Sequence, residues 1–384
     1  MAHLRPGSPS EVGVSAEKLE QAAELLKREV ESKRLEAGAV LVARRGRVIL
    51  HKGFGRLSAQ RGAPALQSDS VFILGSIAKP VTATAVMLLV ERGLVALDDC
   101  ATLHLPEFKG GERNRVRVRD LLRHTSGLPD MLPENAELRR RHAPLPEFLE
   151  HTYRTPLHFP PGTQFRYQSM GILLAAAIVE KLTGKPMPDF VRAEIFGPLR
   201  MNQTSFGLGG REIGDTVQCA LAPGGDVADD ERFGPNTSYW RNIAAPWGCM
   251  HSNTSDLALL MQAFLQGGTH AGKRICSPAT VRAMISDQNV ELGAPWGLGW
   301  ALGRSKAWNV FGDLLPPETF GHTGAPGTLV WADPTAEVLC VILTNRPYIA
   351  DDGRFLRLVS NAVAASVISE TRPDRRNLPG LGEE

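Results

Sequence analysis

The sequence is poor in cysteine and nearly balanced in charge, and both features limit what the protein can be. Its 384 residues include five cysteines, which are widely scattered and form no C-x-x-C pair. Such spacing indicates neither a zinc site nor a disulfide framework. The formal net charge is +2, which gives no electrostatic footprint for a nucleic acid or another polyanion. We therefore expect no nucleic-acid partner.

Long apolar runs are missing as well. No stretch free of charged residues reaches the length that spans a membrane. The N-terminal segment MAHLRPGSPSEVGVS lacks the apolar core of a signal peptide. These absences predict a cytoplasmic protein with no membrane partner, although a chain whose leader had been removed would look the same. The content of 43% hydrophobic and 22% charged residues is typical of a globular protein.

Strand-like patterns lie at both ends of the chain, and helical patterns lie between them. Short apolar runs bounded by turn residues predict strands at 38–43, 47–53, 296–302, 327–332 and 337–345. Apolar residues at helical spacing predict helices from Ser15 to about 34, at 173–184, at 255–268 after a capping Asn253, and at 353–370. The first two strands read as an antiparallel hairpin.

This arrangement predicts a discontinuous sheet domain with a helical insertion. Residues 1–75 and 286–384 would form one antiparallel sheet covered by the first and last helices. Residues 76–285 would form a mostly helical domain. Ligand clefts form preferentially between domains, so we expect the active site at their interface.

Ser76 and Lys79 are the chemically unusual residues of the apolar run VFILGSIAKPVTATAVMLLVERG. Pro80 cannot lie deep inside a helix, so a helix must begin close to Ser76. Lys79 would then lie on the same face as Ser76, within its reach. Burial and the helix dipole both lower a lysine pKa, which makes a useful base. The alternative is a capping serine with a lysine that extends to solvent.

Other motifs are weaker. A second S-x-x-K, from Ser15 to Lys18, begins a polar helix and is read as a helix cap. No G-x-S-x-G nucleophile elbow occurs. Residues 267–274 nearly match the P-loop motif, but they end in arginine where the motif needs serine or threonine. The histidines show no metal-ligand spacing.

A serine–lysine pair needs a second proton-transfer group and an oxyanion hole. Tyr167 precedes an apolar helix that Ser169 can cap, and a tyrosine held between cations can act as a phenolate base or a relay. The glycine-rich segment 321–327 lets a substrate approach the backbone, so the amides of Ser76 and Ala325 can form the oxyanion hole. A packed tyrosine and a glycine-rich approach to a strand are the alternatives.

Together these segments resemble the serine β-lactamase and penicillin-binding superfamily, and class C β-lactamases and family VIII carboxylesterases most of all. The family motifs S-x-x-K, Y-x-N and K-T-G read here Ser76-Ile77-Ala78-Lys79, Tyr167-Gln168-Ser169 and His322-Thr323-Gly324. Further stretches look like family landmarks: 121–130, 196–201, 248–257 and 297–300. The resemblance implies an α+β, β-lactamase-like fold without a metal or cofactor.

Two departures from the family motifs concern substrate binding. Ser169 replaces the asparagine, and its shorter side chain cannot hold a β-lactam amide in the same way. His322 replaces the lysine that anchors a substrate carboxylate, and an unperturbed histidine is mostly neutral at pH 7. Both departures argue against an efficient β-lactamase. His124, in the H-T-S-G of residues 124–127, is read as structural.

The resemblance implies a serine hydrolase that acts through an acyl-enzyme on small carboxylic esters, with acyl transfer to alcohols as an extension. Ser76 is the expected nucleophile, and either Lys79 or Tyr167 is its base. The remaining expected site residues bind substrate: His322, Thr323, Gly324 and Ser169. His322 has a second expected role, which is to assist Tyr167. One alternative is a D-stereospecific peptidase, an amidase or a weak β-lactamase, and another is a non-catalytic binding protein. The sequence leaves the oligomeric state open.

Overall fold

The computed structural model describes residues 4–305 and 310–368. Its central element is a seven-stranded sheet in the order β1-β3-β2-β12-β11-β10-β9. The strands of the chain are β1 Arg5–Pro6, β2 Ala37–Arg44, β3 Arg47–Gly55, β4 Phe72–Ile73, β5 Ser205–Phe206, β6 Met250–Ser252, β7 Thr269–His270, β8 Lys273–Arg274, β9 Ala301–Leu302, β10 Phe320–Gly324, β11 Thr328–Asp333 and β12 Val338–Thr344. Strands β4 to β6 form a small second sheet, and β7 pairs with β8.

The sheet joins the two ends of the chain, as the sequence predicts. The β2–β3 hairpin is antiparallel, and β12 pairs with β2 so that Val341 lies opposite Leu41. Strands β10 and β11 continue the antiparallel pattern. The short β1, which the sequence analysis does not predict, lies parallel to β3.

Two strand assignments need correction. Of the predicted strand 296–302, only β9 is a strand, because Gly297 and Gly299 make a tight turn in which the Gly297 amide donates to the Trp300 carbonyl. A Cβ on Gly299 would lie 2.5 Å from Ala83 Cβ, so this turn packs closely against the helix after Ser76. Residues 321–324 of the segment read as an approach to a strand belong to β10 themselves, and their glycines and histidine conceal the strand pattern.

Twelve of the fourteen α-helices among the described residues lie between β4 and β9. The α-helices are α1 Ala16–Glu31, α2 Ala78–Glu91, α3 Ala101–His104, α4 Val118–Leu122, α5 Asn135–Arg140, α6 Leu145–Arg154, α7 Met170–Thr183, α8 Met187–Val191, α9 Gly197–Leu199, α10 Val227–Phe233, α11 Ser238–Asn242, α12 Thr254–Leu265, α13 Pro278–Met284 and α14 Arg354–Ser366. The predicted end of α14, residues 369–370, lies outside the described residues. The division into domains at residues 75 and 286 stays a prediction.

Two predicted N-caps, Ser15 and Asn253, and the predicted end of α7 are confirmed. The Ser15 hydroxyl accepts from the Lys18 amide, and the Asn253 side chain accepts from the Asp256 amide. Gly184 closes α7 with a φ of 66°, a left-handed conformation that costs glycine little. Within residues 4–305 and 310–368, no helix is both long and apolar enough to cross a membrane.

Successive side chains of β12 point into two different cores, as the pleat of a strand requires. Cys340 and Ile342 pack in the core that α1 and α14 cover. Leu339 and Val341 pack in the larger core that contains α2, α7 and α12. Burial of both faces fixes the register of β12, because a slip by one residue would exchange the two sets of side chains.

The contribution of Arg44 on β2 to the stability of the fold can be tested. Arg44 is fully buried and donates to the carbonyls of Val12, Gly13 and Ala336. We expect Arg44→Met to lower the free energy of unfolding by about 2–4 kcal/mol, because buried acceptors lose their charged donor. Urea unfolding followed by circular dichroism measures this, with Arg47→Met on the exposed start of β3 as the control. Equal losses in both variants would contradict the assignment.

Candidate active site

Ser76 lies in a single 3₁₀ turn, Gly75–Ile77, that leads directly into α2. Pro80 is the third residue of α2, so the prediction that a helix begins close to Ser76 is confirmed. The Ser76 side chain is half-buried and lines a cavity of about 510 Å³. The nucleophile candidate is therefore accessible to a small molecule at the start of a buried helix.

Two glycines let the end of β10 approach the Ser76 turn. Gly75 has a φ of +61°, and a Cβ there would lie 2.9 Å from the Ala325 nitrogen. A Cβ on Gly324 would lie 1.8 Å from the Leu74 carbonyl oxygen. Side chains would force these backbones apart, so glycine is required at both positions. The approach leaves the Ala325 amide beside the Ser76 turn, where an oxyanion hole formed with the Ser76 amide stays a prediction.

The ammonium group of Lys79 is buried next to Ser76. Its Nζ donates to Ser76 Oγ at 2.9 Å and to the Trp247 carbonyl at 3.2 Å, and the residue is 1% exposed. Desolvation lowers the pKa of Lys79 to about 7, although the Asp130 carboxylate acts to raise it. A large fraction of Lys79 is thus neutral at pH 7, as a base for Ser76 requires.

Tyr167 lies beside the serine–lysine pair. Lys79 Nζ is 4.7 Å from the centroid of the Tyr167 ring. Burial raises the pKa of the phenol above its ordinary value, and a hydrogen bond with Ser76 only partly opposes this. A protonated Tyr167 agrees better with the relay than with the phenolate base, the two roles foreseen for it, and both stay predictions. A protonated phenol is suited to donate a proton rather than to accept the first one.

His322 lies behind Tyr167 rather than in the cavity wall. Its ring is 1% exposed, and its centroid is 6.0 Å from that of Tyr167. The Nδ1 atom lies 2.6 Å from the Thr323 carbonyl; since a carbonyl only accepts, Nδ1 carries the proton. Burial, followed by the charge of Lys79, lowers the pKa of His322 to about 3. His322 is therefore neutral at pH 7.

The predicted substrate-binding residues are set back from the opening. Among the described residues, the predicted oxyanion donor Ala325 lines the cavity. The four predicted substrate-binding residues do not line it: Ser169, His322, Thr323 and Gly324. Direct contact of these four with substrate stays a prediction. The position of His322 agrees better with the other role foreseen for it, which is assistance to Tyr167.

Ser169 makes a contact that the sequence analysis misses. It occupies the N-cap position of α7, but its hydroxyl does not cap the helix. Instead Ser169 Oγ donates to Asp130 Oδ1 at 2.5 Å, which corrects the predicted capping role. The same carboxylate acts to raise the pKa of Lys79 and of Tyr167. The only signal for Asp130 in the sequence is its place at the end of the landmark LLRHTSGLPD.

Gln168 anchors the backbone next to Tyr167. Its side chain is fully buried, donates to the Asp120 carbonyl at 3.0 Å and accepts from Ser126 Oγ at 2.5 Å. The backbone N–H of Gln168 donates to Nδ1 of His124 at 3.3 Å. His124 is buried with its ring centroid 4.6 Å from that of Tyr167, in keeping with a structural role. No motif in the sequence singles out Gln168, since its partners are about 40 residues away.

Comparisons with known proteins concern the chain as a whole. The family model described as Beta-lactamase matches residues 22–364. An Escherichia coli (strain K12) protein named "Putative D-alanyl-D-alanine carboxypeptidase" is 26% identical over 380 residues, covering 90% of this chain and 86% of that protein.

Solved structures share the architecture of the chain. A penicillin-binding protein homologue from Caulobacter crescentus superposes with a TM-score of 0.75 at 24% identity, over 92% of this chain and 99% of the other. A family VIII carboxylesterase gives 0.74 at 22% identity over the same shares. EstCE1, described as a hydrolase with promiscuous acyltransferase activity, gives 0.73 at 22%, over 91% and 99%. The α+β, β-lactamase-like fold expected from the sequence is confirmed.

The protonation state of Lys79 predicts how activity depends on pH. If neutral Lys79 is the base, kcat/KM should rise about tenfold per pH unit below about pH 7 and level off above it. Rates with a p-nitrophenyl ester, corrected for spontaneous hydrolysis between roughly pH 5 and pH 9, test this. The inflection should persist in His322→Gln, because His322 is already neutral there. A profile without an inflection would contradict the assignment.

Asp130 gives a second, independent prediction. Because its carboxylate acts to raise the pKa of Lys79, Asp130→Asn should move the inflection to lower pH, while asparagine can still accept from Ser169. Asp226→Asn is the matched control, since Asp226 lines the cavity and its charge is not among the causes of the Lys79 shift. An unchanged inflection in Asp130→Asn, or equal shifts in both variants, would show that Asp130 does not tune Lys79.

Proposed function

The chain belongs to the beta-lactamase family, and we propose that this serine hydrolase cleaves small carboxylic esters through an acyl-enzyme formed on Ser76. The observation that carries the proposal is the contact of 2.9 Å between Ser76 Oγ and Lys79 Nζ. Desolvation there lowers the lysine pKa to about 7. A serine paired with a partly neutral amine is an activated nucleophile.

The first half of the reaction acylates Ser76. Neutral Lys79 takes the hydroxyl proton as Ser76 Oγ attacks the ester carbonyl, which forms the new C–O bond and a tetrahedral oxyanion. The amides of Ser76 and Ala325 donate to that oxyanion, in the water-poor site where such donors are most effective. The C–O bond to the alcohol then breaks, and the alcohol leaves with a proton.

Tyr167 supplies the proton to the leaving alcohol. Its phenol is protonated, hydrogen-bonded to Ser76 and close to Lys79, so it can recover its proton from the lysine ammonium. In the second half water attacks the acyl carbonyl, and the same groups work in the reverse direction to release the acid and free Ser76. An alcohol in place of water would give acyl transfer instead of hydrolysis.

The charges around the cavity favour neutral esters over substrates that carry a carboxylate near the scissile bond. His322 is neutral, so it offers no cation where the family lysine anchors a carboxylate. Arg139 is the only cation among the described residues that line the cavity. Three aspartates line it as well: Asp226, Asp230 and Asp229, of which Asp229 is paired with Arg140 at 2.8 Å. Asp226 and Asp230 outnumber Arg139, so this wall disfavours an anion at close range.

A D-alanyl peptidase is the second candidate, because the E. coli relative carries that name and shares most of the length of the chain. Ser169 argues against it and against an efficient β-lactamase, since its hydroxyl is already bonded to Asp130. A non-catalytic binding protein is disfavoured by the contact of Lys79 with Ser76 and by the hydrogen bond between Ser76 and Tyr167.

Intact-mass spectrometry tests the proposal directly. Wild type and Ser76→Ala are mixed with p-nitrophenyl butyrate while nitrophenol release is followed. We expect steady release by wild type, a transient acyl adduct on Ser76, and a loss of kcat of at least about a thousandfold in Ser76→Ala.

The same proteins are then tested with a D-Ala-D-Ala peptide and a chromogenic cephalosporin. Faster turnover of either compound than of the ester would replace the esterase with the second candidate. An adduct that forms on Ser76 and never turns over would point to a binding protein. No adduct and no difference between the two proteins on any substrate would refute the catalytic function.

A further inference from the structure

We propose, on the basis of the ester hydrolysis argued above, that the cavity next to Ser76 receives the acyl half of the ester. We further propose that it selects uncharged, apolar acyl groups much larger than acetyl. The cavity is defined here by the residues that enclose it with Ser76, among them Met131, Phe233, Trp240 and Trp247.

The position of Tyr167 indicates which half of the ester enters the cavity. Ser76 and Ala325 line it, whereas Tyr167 does not. The leaving oxygen must lie within hydrogen-bond reach of its proton donor, so the alcohol lies on the Tyr167 side of Ser76. The acyl group is the other substituent of the same carbonyl carbon and extends away from Tyr167, into the cavity.

The cavity wall is mainly apolar and aromatic. Trp240, Trp247 and Phe233 contribute rings, and Met131 and Leu221 contribute aliphatic surface. Met131 and Leu221 are 38% and 42% exposed, so part of their apolar surface is open to solvent in the absence of a ligand. An apolar acyl group would cover this surface.

The volume of the cavity exceeds what an acetyl group can fill. An apolar cavity of ~150 Å³ already holds benzene, and this cavity is about 510 Å³. It therefore has room for a ring or for an alkyl chain of several carbons. An acetyl group would leave most of the apolar wall in contact with water.

The polar groups of the cavity wall disfavour the binding of a negatively charged acyl group. The guanidinium of Arg139 lies 3.9 Å from the ring centroid of Trp240 and 5.0 Å from that of Phe233, and Nη2 donates to the Phe233 carbonyl. This cation is covered by aromatic rings, while Asp226 and Asp230 line the same wall. A carboxylate at the far end of an acyl chain would meet these aspartates.

A series of p-nitrophenyl esters with one leaving group tests the proposal. The acyl groups are acetate, butyrate, hexanoate, octanoate, benzoate and the charged hemisuccinate. We expect kcat/KM to rise roughly tenfold from acetate to butyrate and further to hexanoate, as methylene burial predicts. Benzoate should exceed acetate, and hemisuccinate should fall below butyrate.

Ala136→Trp on α5 tests the cavity itself, because Ala136 lines it. The tryptophan should fill part of the volume and reduce the ratio of hexanoate to acetate kcat/KM at least fivefold. Glu137→Trp is the matched control, since Glu137 is exposed on the same helix outside the cavity lining, and the ratio should stay as in wild type.

Butyrate esters of methyl, butyl and octyl alcohol complete the design. Selectivity among these alcohols instead of among the acyl groups would overturn the assignment of the cavity to the acyl half. Equal rates across the acyl series, or equal ratios in Ala136→Trp and Glu137→Trp, would overturn the proposed selectivity while ester hydrolysis stands. Failure of wild type to cleave any of the esters would instead refute the proposed function.

Discussion

The desolvation of one ammonium group governs the chemistry around Ser76. Lys79 is enclosed by α2, Trp247 and Tyr167, and no carboxylate among the described residues lies within ion-pair distance of it. An unpaired charge in such surroundings is expensive, so the lysine gives up its proton near pH 7 instead of near its usual value. The neighbours His322, which is buried, and Tyr167, which is half-buried, stay neutral because desolvation dominates their pKa values as well.

The sheet contributes to this chemistry because it holds the end of β10 against the Ser76 turn. Gly75 and Gly324 remove the two Cβ atoms that would prevent the approach, and the Thr328 hydroxyl donates to the Leu74 carbonyl at 2.7 Å to hold it. Strand β10 thereby carries His322, beside Tyr167, and leads directly into Ala325, at the cavity. One strand and the residue after it thus position the predicted oxyanion donor and a neutral ring next to the phenol.

The two departures from the family motifs both alter how the site can recognise charged or polar parts of a substrate. A neutral histidine replaces a lysine, and a serine bonded to Asp130 replaces an asparagine. Both replacements remove groups that would recognise a carboxylate or an amide, and aspartates line the cavity wall. The fold that the chain shares with a penicillin-binding protein homologue and a family VIII carboxylesterase is therefore combined with the charges on which the proposed preference for neutral esters rests.

The sequence alone determined the features that depend on neighbours along the chain. The spacing of Ser76 and Lys79, the start of α2 before Pro80 and the caps at Ser15, Gly184 and Asn253 follow from local geometry, and each has a recognisable pattern. Tertiary structure decided the rest. The contacts of Ser169 with Asp130 and of Gln168 with Ser126 join residues about 40 positions apart. The neutrality of His322 and the shape of the cavity depend on which distant side chains exclude water, and desolvation is a property of the packed surroundings that no local pattern contains.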